Sequence, residues 1–157
     1  MTELQAIESR LTSLRQWPSY ARTISMDEAK QIVQELSPCE CDWAIALMLK
    51  YPLAESQWSF NEESLSMEVT MEWMTPKHIL KEALSAHPGS DVLPLGYFPV
   101  GLDVTGSGDQ FYLRASSSHD YRLFRVLHDY NDFSSIESQG IVVAAESLLH
   151  VFSKLIL

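Results

Sequence analysis

The sequence predicts an α+β fold with a central, mostly antiparallel sheet flanked by helices. Three observations carry this expectation. Near the N-terminus, apolar residues recur at three- and four-residue steps, the period of a helix with one buried face. At Leu65, Met67, Val69, Met71 and Trp73 the period becomes two, with Ser66, Glu68, Thr70 and Glu72 between, which describes a strand with one buried and one wet face. From 93 to 130, strand-length runs follow one another across turns. Regular alternation with helices is missing, so hairpins rather than βαβ units are expected.

In chain order, Leu4, Ile7, Leu11 and Leu14 form an apolar stripe over 3–16, which Trp17-Pro18 ends. Ala29, Ile32, Val33 and Leu36 supply the stripe of a second helix over 27–36, with Ser25 or Asp27 as its cap. A third, apolar-rich helix is expected over 40–50, stopped by Pro52. A strand around 56–60 precedes the alternating one. Thr75-Pro76 has the form of a helix start, a capping hydroxyl and then proline at the first helical position; that helix runs to about 86. Val100–Val104, Gln110–Ala115, Arg122–His128 and Ile141–Val143 are strand-length. Leu148, Leu149, Phe152 and Leu155 share the face of a closing helix over 145–155. No repeat or long linker divides the 157 residues, so one domain is expected.

The formal net charge is −10, from 21 acidic and 11 basic residues. Phosphate-binding surfaces need clustered Lys and Arg, so nucleic acid and anionic membrane are not expected partners. A basic protein is, because the field of an acidic chain steers its approach. The N-terminus has no apolar signal core and no apolar run reaches the roughly 20 residues that span a bilayer, so a cytoplasmic protein is expected. Cys39 and Cys41 are too close in sequence to form a good disulfide and are expected as reduced thiols.

The motifs of known chemistry are incomplete. Gly106-Ser107-Gly108 is not followed by the Gly-Lys-Ser/Thr of a phosphate loop, nor by a third glycine opening a helix. Thr105 and Asp109 stand where a nucleophile elbow has glycines, so the segment reads as a β-turn. His119-Asp120 and His128-Asp129 lie near the serine run Ser116–Ser118, but neighbours along a strand face opposite sides and make a poor dyad. A hydrolase site around 103–129 remains the enzymatic alternative, and a small-ligand or regulatory scaffold a third. The spacing of the two cysteines and five scattered histidines fits no zinc pattern, and neither a metal nor a cofactor is expected.

The sharpest charge feature is the gap between Lys50 and Lys77, which holds Glu55, Glu62, Glu63, Glu68 and Glu72 and no basic residue. Glu68 and Glu72 share the wet face of their strand, about 13 Å apart. Trp58 and Phe60 lie just upstream. An acidic sheet face with aromatic anchors is suited to a cationic partner. The candidate partner-binding residues are therefore Glu62, Glu63, Glu68 and Glu72, with the loop acids Asp103 and Asp109.

Five segments, in order, resemble the SUKH superfamily, which includes bacterial toxin-immunity proteins and a fungal regulator of cell-wall assembly. They are Leu36-Ser37-Pro38-Cys39-Glu40-Cys41-Asp42-Trp43, Leu93–Gly101, Gly106-Ser107-Gly108-Asp109 with the strand after it, Phe124-Arg125-Val126-Leu127-His128-Asp129, and Val142–Leu149. The resemblance spans roughly 36–155. It implies a SUKH-like core over 36–157 with 1–35 as an N-terminal helical extension, a central sheet with flanking helices, and no catalytic residues. It further implies an immunity protein that neutralises a cognate toxin of nuclease or deaminase type.

Overall fold

The computed structural model describes residues 1–39, 41–116 and 119–157. Helices α1 (Glu3–Ser13) and α2 (Met26–Leu36) each begin with a reciprocal cap, Thr2 with Gln5 and Ser25 with Glu28. The cap hydroxyl accepts an amide of the first turn while the Gln or Glu side chain accepts the amide of the cap, satisfying two otherwise unpaired donors. Helix α3 covers Asp42–Lys50; of the segment expected from residue 40, Glu40 lies outside the described residues. Helix α4 (Pro76–Ser85) begins as its sequence predicts, with the Thr75 hydroxyl accepting the His78 amide.

The described strands are β1 (Gln57–Glu62), β2 (Met67–Trp73), β3 (Tyr97–Asp103), β4 (Phe111–Arg114), β5 (Leu123–Val126), β6 (Ile141–Ala145) and β7 (Leu155–Ile156). They form one antiparallel sheet in the order β6-β5-β4-β3-β2-β1-β7. This is a meander from β1 to β6, with β7 returning to the outer side of β1. Helix α4 and the short α5 (Gly89–Val92) lie between β2 and β3. A helical turn α6 (Phe133–Ser135) and a π-helical turn (Ile136–Gly140) lead into β6. The sheet curls into a half-barrel. Its curl brings the Glu63 amide, just past β1, to the Ala144 carbonyl of β6 at 3.0 Å.

Alternation along the strands divides the core in two. Phe98, Val100, Phe111, Leu113 and Leu123 join the larger cluster with Trp58, Trp73 and Phe152. Tyr97, Tyr112, Phe124 and Val126 form a smaller one with Val92 and Ile136. The architecture is α+β with an antiparallel sheet, as the sequence predicts. Residues 1–35 are woven into the larger cluster through Ile7, Leu11, Ile24, Ala29 and Ile32. Arg10 fastens α1 to the other end of the chain, donating to the Phe152 and Ser153 carbonyls at 2.8 Å each.

Two expectations are corrected. The closing helix over 145–155 is a single turn, α7 (Leu148–Val151), capped by Ser147; the chain then re-enters the sheet, where Leu155 stands opposite Trp58. A vacant flank of β1 offers hydrogen bonds that a longer helix would forgo. The alternation from Leu65 also overreaches. β2 begins at Met67, and Leu65 and Met67 are exposed, because β3 pairs with β2 only over Met71–Trp73.

Close packing of α4 and α5 depends on Gly89, where a β-carbon would fall 2.1 Å from the Glu82 carbonyl oxygen. Since that oxygen belongs to backbone, Gly89→Ala is expected to destabilise the fold by about 1–3 kcal/mol, seen as a lower urea midpoint with an unchanged slope.

Candidate functional site

Trp58, Phe60 and Glu62 occupy alternate positions of β1 and share one face. Because the two aromatics enter the core, Glu62 enters it too, at 1% exposure. Arg125 of β5 meets it from across the curled sheet. The Arg125 Nε donates to Glu62 Oε1 at 2.6 Å, and Nη1 donates to Asp103 Oδ2 at 2.8 Å. The guanidinium also lies over the Phe111 ring, 4.4 Å from its centroid. Side chains from β1, β3 and β5 are thus joined by one buried cation. Arg125 Nη2 is the guanidinium nitrogen left without a hydrogen-bond partner among the described residues.

The turn 104–109 closes over this network. Arg125 Nη1 donates to Ser107 Oγ at 2.7 Å and to the Asp109 carbonyl at 2.9 Å. Ser107 Oγ in turn donates to Asp103. The Thr105 amide donates to the other Asp103 oxygen at 2.8 Å. Gly106 and Gly108 have φ of 103° and 82°, angles that disfavour a side chain, which is why this turn carries two glycines. Burial alone would raise the Asp103 carboxyl. Hydrogen bonds from Ser107, Arg125 and Thr105 outweigh it and hold the group at about 2.

The six candidate acids therefore separate. Glu62 and Asp103 are corrected: both carboxylates are buried on Arg125 rather than turned outward to a partner. Asp109 is half-buried. It accepts the His128 amide at 2.8 Å and pairs with His128 Nδ1, and this contact raises the His128 pKa. Glu63 and Glu68 are exposed, and Glu72 is half-buried. Gln57, Ser59 and Asn61 of β1 stand opposite Glu72, Thr70 and Glu68 of β2, giving a polar ribbon face bearing two carboxylates. Glu72 accepts from Gln57 Nε2 at 3.1 Å. The nearest cation to Glu68 is Lys154 at 3.8 Å, both side chains well exposed, a geometry worth little in water.

The other sequence candidates also find places. His128 lies past the end of β5, where the chain turns, so Nε2 does approach Asp129 at 3.3 Å. This corrects the expectation for strand neighbours, and no described serine is among the His128 partners. His119 Nδ1 is 3.4 Å from the Tyr121 hydroxyl. Ser117 and Ser118 of the serine run lie outside the described residues. Cys39 and Cys41 are unbridged and buried, and desolvation pushes their thiols up to about 11 and about 12. Cys39 lines a cleft of about 430 Å³ with Leu36, Pro38, Leu93 and Pro94. Among the described residues, no cluster of three His, Cys, Asp or Glu side chains could hold a metal ion, and no helix is long and apolar enough to cross a membrane.

No family model matches the chain, and no curated protein or solved structure matches it.

Arg125 is the residue that the sequence reading passes over. Its signal was present: one arginine inside the apolar run Leu123–Val126. Replacing it by methionine leaves Glu62 and Asp103 buried without their cation, and is expected to cost about 3–5 kcal/mol. Adding Glu62→Gln and Asp103→Asn to that variant is expected to restore much of the loss. In the wild type, the folded Asp103 titrates below its ordinary value of 3.8. Its stabilisation is complete above that value and drains away as the pH falls toward about 2. Urea titrations at stepped pH check this, with Asp103→Asn flattening the acid limb.

Proposed function

We propose that this chain is a non-catalytic, SUKH-type binding domain that acts in the cytoplasm as an immunity protein. Its partner is a basic toxin of nuclease or deaminase type. The observation that carries the proposal is the β1–β2 ribbon face, where exposed Glu68 and half-buried Glu72 share one side of the sheet with exposed Glu63 at the adjoining turn. A strand holds its side chains at fixed intervals, so two carboxylates there form a pre-organised array that binds cations at small entropic cost. Toxins that act on nucleic acids bear cationic surfaces, because they must grip phosphates. A net charge of −10 adds long-range attraction and speeds encounter.

The inward acids support the proposal differently. With Glu62 and Asp103 both bonded to Arg125, the sheet beneath the acidic face is tied across three strands and keeps its shape on binding. A second reading, a small-ligand scaffold, draws on the apolar cleft beside Cys39; bound ligand would have to protect that thiol from alkylation.

The test uses the protein encoded by the gene adjacent to this one. Co-expression with the chain is expected to abolish that protein's toxicity. The double variant Glu68→Lys, Glu72→Lys is expected to slow association at least about tenfold at low salt and to flatten its salt dependence. Association rates that match the wild type at every ionic strength would exclude this face. Undiminished toxicity would overturn the immunity role itself.

A further inference from the structure

Among the described residues, the outer strand β6 has a second set of backbone groups, at Ile141 and Val143, that pair with no other backbone group outside the β5–β6 ladder. The Leu127 amide donates to the Gly140 carbonyl at 2.7 Å, whereas the Val126 amide points the other way, to Gln110. Backbone groups alternate sides along an antiparallel pair. Arg125 and its register partner Val142 therefore face each other, and the N–H and C=O groups of Ile141 and Val143 point outward from the sheet. At the far end the edge is closed, because the Ala144 carbonyl accepts the Glu63 amide at 3.0 Å. Ile141, Val142 and Val143 are all half-exposed. Edge strands are commonly guarded by lysine, proline, an inward charge or a bulge; Ile141–Val143 has none of the first three, and the register shift of the β5–β6 pair falls beyond Val143.

Acidic side chains predominate around the edge, although Arg122, just before β5, lies close enough to Glu146 to be felt by it. Between Arg125 and Lys154 there is no Lys or Arg, while Asp129, Asp132, Glu137 and Glu146 fall in that interval. Exposed Glu137 precedes the strand, exposed Glu146 follows it, and exposed Glu63 sits at the closed end. A second copy of the chain would bring a further −10 against this rim. A cationic segment would be drawn to it.

We propose that β6 is a docking edge for an extended, apolar segment of a basic partner protein, which adds to the sheet as an eighth strand with its flanking Lys or Arg beside Glu63, Glu137 and Glu146. This rests on the reading of the chain as a binder of basic proteins and names a second surface for it. Backbone hydrogen bonds at Ile141 and Val143 supply the affinity, and the acidic rim supplies the selectivity.

The probe is the acetylated, amidated peptide KKVTVTVKK, added to the full chain. Titration is expected to shift the amide resonances of Ile141, Val143 and Glu63. The peptide EEVTVTVEE is expected to bind at least about tenfold more weakly. Val143→Pro removes an outward-facing donor, together with a valine side chain that packs on the smaller core cluster, and is expected to lower affinity for the basic peptide at least about tenfold. Should that variant fail to fold, N-methylation of the peptide decides instead. Methylating its valines in one peptide and its threonines in another is expected to abolish binding in one phase alone. Shifts confined to other residues, equal binding of the two charge types, equal effects of the two methylation phases, or a dimer that buries β6 would each overturn the proposal. Because the probe is a synthetic peptide, its failure leaves toxin neutralisation untouched, and loss of neutralisation leaves this edge untouched.

Discussion

A charge inside a folded protein has to be answered there, and the half-barrel is organised around that requirement. Arg125 lies at 1% exposure, where an unpaired guanidinium would cost several kcal/mol. Its answering groups are not neighbours in the sheet. Glu62 comes from β1 and Asp103 from β3, so the cation can be satisfied only if the sheet curls enough to bring β1 toward β5. A flat sheet of the same strands would separate them. Buried ion pairs are seldom a large source of stability, since desolvation offsets most of the attraction. What this one supplies is a reason for a particular curvature, with the Glu63–Ala144 hydrogen bond as its outermost expression.

The same constraint sorts the acidic residues. Two carboxylates on the inward side are consumed by Arg125, and those on the outward side of the ribbon remain facing water. A cation-binding surface gains from such an arrangement, because its carboxylates are held by a backbone that has little freedom left to lose. The turn over the network belongs to the same unit. Ser107 Oγ and the Asp109 carbonyl both accept from Arg125, and the Asp109 carboxylate pairs with exposed His128, so one residue of the turn joins the buried cation to the surface histidine.

Much of the architecture could be seen in the sequence because local signals and tertiary packing agreed. Helices α1, α2 and α4 carry caps whose chemistry is visible in three or four residues, and β2 carries an unbroken alternation over its buried half. The candidate site was harder to see. Glu62 has the parity of Trp58 and Phe60, and parity alone would have turned it inward had those aromatics been taken as core. Asp103 was less accessible. A register shift between Pro99 and Gly101 changes which residues of β3 face the interior, and no residue type announces it. The closing segment misled for a different reason. Leu148, Leu149, Phe152 and Leu155 fit a helical stripe, but the vacant flank of β1 outcompeted the helix for Leu155.

That flank has a consequence for how the molecule is made. β1 leaves the ribosome long before β7, yet they are hydrogen-bonded partners, and Arg10 is tied to Phe152 and Ser153. Until residues 152–156 have been synthesised, Trp58 lacks its Phe152 neighbour at 4.7 Å between ring centroids, and α1 has no carbonyls to hold. Contacts this distant in sequence close slowly. Between the synthesis of β1 and that of residues 152–156, the nascent chain must therefore shelter an unfinished aromatic core.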